Sequence, residues 1–254
     1  MPMVLALACT LLLSLVEIAH ATVTACGSAL LERGHVSQVM DARTLRLTDG
    51  REIRLAGIVP PADASAAKIA LAALVAERDV ELRGDSDMPD RYGRQHAFVV
   101  PIGNDTPVQI ALLRAGEALV TGTVADRACA TELAAAEAIA RQARQGIWAK
   151  PGVIKSARKP AEVLARLGHF AVVEGKIVSA RKSGATFYLN FGRHWVRDFA
   201  VIIPRQMIGL LPRDGIDIRA LAGRQVRVRG WIEQRRGPRI QLRGTGQIEV
   251  LDPR

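Results

Sequence analysis

Hydrophobic and polar positions alternate on both sides of Asp49-Gly50, with Leu45 and Leu47 before it, Ile53 and Leu55 after it, and Arg46, Glu52 and Arg54 between them. An Asp-Gly pair between two alternating runs signals a tight hairpin, so residues 44–48 and the run after Arg51 are predicted to pair with their aliphatic side chains on one interior face. A further strand is predicted just upstream, over 35–41. Regular pairing must stop at Pro60-Pro61. Beyond it the period changes from two to 3.6. Ala67, Leu71, Leu74 and Val75 fall on one face of a helix that Asp63 or Ser65 can cap and that reaches about Glu77. Strands follow over 80–83 and 96–102. Thr106-Pro107 places a cap and an N1 proline before a helix that stops at Gly116. A third helix is predicted over about 126–145, with Cys129, Leu133, Ala136 and Ala140 in one stripe and Gly146 as its terminator.

Residues 149–165 contain two Pro, a Gly and several Lys or Arg, which predicts a linker or a short surface helix. Strand patterns then return over 169–180, 186–191 and 198–204, followed by a helical turn at 216–221 and strands over 224–233 and 239–251. Three strands, a connection and two strands is the order of an OB-fold. A chain of 254 residues also exceeds the roughly 100–200 residues of one domain. The expected division is a leader at 1–21, a first domain at 22–148, a linker at 149–165 and a second domain at 166–254.

The leader reading rests on the apolar run from Met3 to Val16, which is too short to span a bilayer, and on Ala19-His20-Ala21 as a small-x-small cleavage site. A short buried helix is the competing reading. An exported chain, periplasmic or secreted, retains Cys26 and Cys129, an even pair for which a disulfide is expected. Val23-Thr24-Ala25-Cys26 also passes for a lipobox, and acylation of Cys26 would leave Cys129 a free thiol. The net charge of +10 is unevenly placed: residues 1–150 hold 15 Lys and Arg against 17 Asp and Glu, while residues 151–254 hold 20 against 8. The second half alone therefore carries +12. Such a block favours nucleic acid, another polyanion or an anionic membrane surface as partner.

The segment REIRLAGIVPPADAS at 51–65, with MDARTLRLTDG at 40–50 and DRYGR at 90–94, resembles the staphylococcal nuclease, or thermonuclease-like, family. The resemblance implies an α+β fold, an OB-type five-stranded barrel with three helices, here followed by a second OB-like barrel. It also implies a site in which two aspartates and a threonine carbonyl hold calcium, a glutamate acts as general base and two arginines bind phosphate. Arg54 and Arg94 match those arginines. Arg43 stands at the first aspartate, Val59 at the second, Pro60 at the threonine and Ala62 at the glutamate. A general base contributes roughly 10²- to 10⁴-fold and a Lewis-acid metal several kcal/mol more, so most of the catalysis should be missing. Arginine cannot replace the base, because it has donors and no acceptor.

Asp41 and Asp63 flank the replaced positions and would have to supply a substitute metal site. The acids at Asp85, Asp87 and Asp90 lack the Gly and Glu of an EF-hand loop and read as a solvated turn. The five histidines show no ligand spacing. LAGRQVRVRGWIE at 221–233 resembles the fourth strand of an OB-type nucleic-acid-binding module, with Val226 and Val228 alternating with Arg227 and Arg229. Seven of the ten aromatic residues lie in the second domain. Phe187, Phe191 and Phe199 read as core, while Tyr188 and Trp195 are candidates for stacking bases. The expected function is non-catalytic binding of nucleic acid or another anionic polymer outside the cytoplasm, through Arg43, Arg54, Arg94, Tyr188, Trp195, Arg227 and Arg229, with no metal and no small-molecule cofactor. One alternative is a divalent-metal-dependent nuclease with a rearranged, calcium-holding site. Another is an envelope protein whose basic face meets anionic lipid or glycan.

Overall fold

A computed structural model describes residues 25–27 and 29–251; the leader expected at 1–21 lies outside the described residues. The strands β1 (Leu30–Val39), β2 (Thr44–Leu47) and β3 (Glu52–Leu55) form the antiparallel meander that the alternation predicts, and Leu45, Leu47, Ile53 and Leu55 are buried on its inner face. The chain continues through β4 (Ile58–Val59), α1 (Ser65–Val75), β5 (Asp79–Arg83), β6 (Arg94–Pro101), α2 (Val108–Arg114), β7 (Leu119–Val120) and α3 (Arg127–Gln142). The ring closes in the order β1-β2-β3-β6-β5, with β3 and β6 parallel. Burial of Ala67, Leu71 and Val75 lays α1 on this ring. Neither Asp63 nor Ser65 caps α1: Ala64 occupies the cap position, and the Asp63 carboxylate accepts instead from the Ser65 amide and hydroxyl. Asp126 does cap α3, accepting from the Cys129 N–H at 2.7 Å.

The segment expected to be a linker or a short surface helix contains such a helix and is built into the second unit. A 3-10 turn at Gly146–Ala149 leads to β8 (Ile154–Ser156), and α4 (Pro160–Leu164) precedes β9 (Phe170–Lys176), with which β8 pairs in parallel. Then come β10 (Ser179–Ser183), β11 (Thr186–Asn190), β12 (Ala200–Ile203), α5 (Arg205–Ile208), β13 (Gln225–Trp231), β14 (Glu233–Arg235), β15 (Gly237–Gln241) and β16 (Ile248–Val250). They form two sheets, β10-β11-β12-β15-β14 and β16-β13-β9-β8. Two predicted strands are therefore each divided. The Ile177 amide bonds to Arg224 and the next amide, that of Val178, to Asn190, so the chain passes from one sheet to the other within one residue. The run predicted over 239–251 likewise ends in β15 and resumes as β16 in the other sheet. Allowing for these bends, the pairings follow the order of the first ring, including one parallel pair, β12 with β15. Phe187, Phe191 and Phe199 lie in the shared core, as their spacing predicts.

The contacts between the two units include a close backbone approach, an apolar cluster and a buried ion pair. Gly122, at φ +71°, lies against Gly246 so closely that an added Cβ would sit 2.5 Å from its backbone, and any side chain would force the units apart. Val59, Leu119, Ala140, Ile147 and Trp148 pack with Val172 of β9 in one buried cluster. Inside this boundary Arg229 of β13 donates from Nη1 to Glu137 of α3, at 2.7 Å to Oε2 and 2.9 Å to Oε1. The two side chains are 6% and 1% exposed. Glu137 Oε1 also accepts from the Val120 N–H at 2.9 Å, and the Gln247 side chain donates to the Arg229 carbonyl at 3.0 Å. Arg229, expected to face nucleic acid, is instead the buried tie between the units.

Cys26 and Cys129 are joined in a disulfide with a Cα–Cα distance of 4.4 Å, fastening the start of the described chain to α3. Among the described residues no helix is long and apolar enough to cross a membrane.

Two predictions follow from these ties. Closing a loop across 103 residues restricts the unfolded chain, so Cys129→Ser should lower stability by about 4 kcal/mol, read from denaturant unfolding against the oxidised parent. Equal unfolding midpoints would contradict it. Arg229→Met should cost about 3 kcal/mol by leaving the buried Glu137 with Arg141, whose Nη1 donates to Oε2 at 3.3 Å, as its remaining cationic partner. Adding Glu137→Gln keeps an acceptor for the Val120 amide and removes the stranded charge, so the double variant should recover much of that loss.

Candidate functional site

The pleat of the first ring decides which side chains meet. Leu45, Ile53 and Gln95 share one row and point inward, so the adjacent row of Thr44, Arg54 and His96 lies on the outer face of the ring, where Thr44 is covered, Arg54 half-buried and His96 exposed. Arg43 precedes β2; its amide donates to Asp41 Oδ1 at 2.7 Å and its Nε to the Leu55 carbonyl at 3.2 Å. These bonds hold the guanidinium beside the strand that carries Arg54. Both arginines line a cleft of about 360 Å³ whose near wall is completed by Asp41, Val59, Pro60 and Ala62. Its far wall comes from the second unit: Arg166, His169, Phe170 and Trp231.

The cleft is electropositive for an identifiable reason. Burial, together with the charges of Arg54 and Arg94, pushes the Arg43 guanidinium down to about 10. Arg54 is lowered by burial and by Arg94, and its guanidinium makes no hydrogen bond or ion pair among the described residues. Arg94 is placed differently. It donates from Nε and Nη2 to Asp90 Oδ2 at 3.1 and 2.9 Å and lies over the Tyr92 ring at 4.8 Å. Those hydrogen bonds hold the Asp90 carboxyl well below the usual carboxylate range. Of the two arginines matching the resemblance, Arg54 is open to a ligand and Arg94 already has its own counter-ion outside the cleft.

The calcium ligand set implied by the resemblance does not fit here. Val59, at the second aspartate position, is 3% exposed and belongs to the apolar cluster that docks the second unit. Ala62 and Pro60 offer no carboxylate. Asp41 lines the cleft, but Asp63 does not; it bonds to Ser65 and lies 3.9 Å from the Lys150 ammonium. One carboxylate facing two guanidiniums is a poor donor set for a hard cation. Among the described residues no three His, Cys, Asp or Glu side chains gather as a ligand group.

The second unit carries its own surface depression, also about 360 Å³, and it brings together Tyr188, Trp195 and the β14–β15 hairpin. Tyr188 stands opposite Arg181 on the neighbouring strand. Trp195 is 60% exposed and lies under the Arg236 guanidinium at 4.6 Å. Arg236 has φ +72°, an uncommon conformation for a non-glycine residue, at the turn that sets it over the ring. Arg227 is a correction: Glu174 at 2.7 Å and Glu249 at 2.9 Å neutralise it on the β13 surface, away from Tyr188 and Trp195. The sequence reading also missed Arg166, His169, Phe170 and Trp231 as site residues. Trp231 was the traceable one, because it closes β13 after the alternation of Val226 and Val228 has ended.

Val59→Asp tests why the carboxylate is missing. It should place an unpaired charge in the docking cluster and lower the melting temperature sharply, at a cost of several kcal/mol, without restoring metal dependence. Unchanged stability with calcium-dependent activity would contradict the packing explanation.

The comparisons agree with this geometry. Residues 52–150 match the family described as Staphylococcal nuclease homologue. No curated protein matches the chain. The matched segment begins at β3 and contains Arg54, the Val59 turn and Arg94, and this part of the chain is similar to a staphylococcal nuclease domain.

Proposed function

We propose that this nuclease-family protein binds single-stranded nucleic acid, or a polyanion of like spacing, without cleaving it, and that it does so outside the cytoplasm. The observation carrying this reading is the pair Arg43 and Arg54, which face one cleft where the family places calcium and its carboxylates. Two guanidiniums with lowered proton affinity favour a phosphate, which relieves their mutual repulsion and offers oxygens in the geometry of the arginine fork. No side chain at Val59, Pro60 or Ala62 can take a proton from water, so the position of the family's glutamate base is empty of an acceptor; among the described residues, Asp41 and His169 are the proton acceptors that line the cleft.

The +12 charge of residues 151–254 supports the same reading, and so does the Tyr188–Trp195 depression with Arg236 above it. Phosphates on cations and bases on rings is the division of labour in sequence-tolerant single-strand binding. An oxidising compartment is supported by the Cys26–Cys129 disulfide and by the apolar start of the sequence.

The test uses the mature full chain, since the second unit alone would lose the Glu137 partner of Arg229. Fluorescence anisotropy with a labelled oligonucleotide across a salt series should give a log–log slope of about −0.7 per phosphate neutralised. Arg54→Gln should weaken binding and flatten the slope. Trp195→Ala or Tyr188→Ala should cost about 1–3 kcal/mol with the slope unchanged. No cleavage of DNA or RNA is expected with calcium. Cleavage abolished both by chelation and by Arg54→Ala would overturn the reading in favour of a nuclease. Equal binding of heparin or anionic vesicles, with no effect of the aromatic substitutions, would favour the envelope reading.

A further inference from the structure

The cleft at Arg43 and Arg54 has a second wall that the nuclease-like segment does not supply. Trp231, at the end of β13, is 48% exposed although it lies beside a buried cluster, and its indole meets the Phe170 ring edge-on with centroids 6.0 Å apart. That contact fixes the Trp231 ring from one side and leaves the rest of its surface to the cleft. His169 donates from Nδ1–H to the Leu167 carbonyl at 3.0 Å, which anchors the imidazole. Arg166 adds a third cation on the same wall. A cavity of about 360 Å³ with guanidiniums on one side and a held aromatic ring on the other is at the lower end of small-molecule sites. It has room for one nucleotide unit and none for a duplex.

We propose that the two units together form a nucleotide-sized subsite, in which Arg43 and Arg54 hold the phosphate and Trp231, backed by Phe170, stacks on the base. The proposal rests on the phosphate reading of Arg43 and Arg54 given above. It adds the ligand class, a single nucleotide unit such as an unpaired strand end, and assigns base recognition to the second unit. The buried Arg229–Glu137 pair then has a functional consequence, because β13 carries both Arg229 and Trp231, and docking through the first fixes the second over the cleft.

Isothermal titration of the mature full chain with adenosine monophosphate, ribose 5-phosphate and inorganic phosphate tests this. The expected result is that the nucleotide binds about tenfold or more tightly than ribose 5-phosphate, the scale of one stacked base. Trp231→Ala should abolish that preference and leave ribose 5-phosphate affinity as it was, while Trp231→Phe keeps a ring and should retain most of the preference. Arg54→Gln should weaken both ligands by the same factor. Equal affinities for the two ligands, or a preference that survives Trp231→Ala, would overturn the subsite while leaving the phosphate reading standing. If Arg54→Gln and Arg43→Gln change neither affinity, the phosphate reading itself falls and the subsite with it.

Discussion

The ion pair between Arg229 and Glu137 is the contact on which the rest of the arrangement depends. Both side chains are almost fully buried, and each charge removed from water would cost several kcal/mol if left alone. The pair therefore holds only if β13 of the second unit lies against α3 of the first within hydrogen-bond reach. The Val120 amide and carbonyl, also bonded to the pair, and the Gln247 amide behind Arg229 leave little freedom in how the units meet. Apolar packing alone is less particular about registry. Directional bonds to buried charges are particular, and here they set the position of Trp231, two residues along the same strand.

The same boundary accounts for the altered chemistry of the nuclease-like domain. Its turn after β3 would carry a metal aspartate at Val59, but that side chain now contributes to the cluster with Leu119, Trp148 and Val172. A carboxylate there would be desolvated without a partner. The docking of the second unit and an apolar side chain at Val59 are thus parts of one packing arrangement. Among the described residues, Asp41 is the one carboxylate lining the cleft, against the guanidiniums of Arg43, Arg54 and Arg166. That excess of positive charge supports the proposed binding of phosphate without a metal.

Much of the fold could be read from the sequence. The Asp49-Gly50 hairpin, the helix stripe of Leu133, Ala136 and Ala140, and the core phenylalanines at 187, 191 and 199 all declare themselves through period and turn chemistry. Of the segment at 149–165 the short helix was foreseen and β8 was not, because β8 is three residues long and pairs with a strand that begins 14 residues after it ends, a non-local contact with no local signature. For the site, the positions matching the family motif were legible and their neighbours were not. Alternation places Arg227 and Arg229 on the face opposite the valines, but it cannot say whether that face meets water, Glu174 or Glu137. Tyr188 and Trp195 do share one depression, whereas the approach of Trp231 to Arg54 depends on how two separate units dock. No pattern within either unit encodes that.

The most direct measurement is the affinity of the full chain for a single-stranded oligonucleotide in excess chelator and in calcium at matched ionic strength. A site built from guanidiniums and rings predicts the same dissociation constant in both, with the oligonucleotide recovered intact. Binding that tightens with calcium and is followed by strand cleavage would contradict this account and show a metal held in a cleft whose side chains are read here as an anion site.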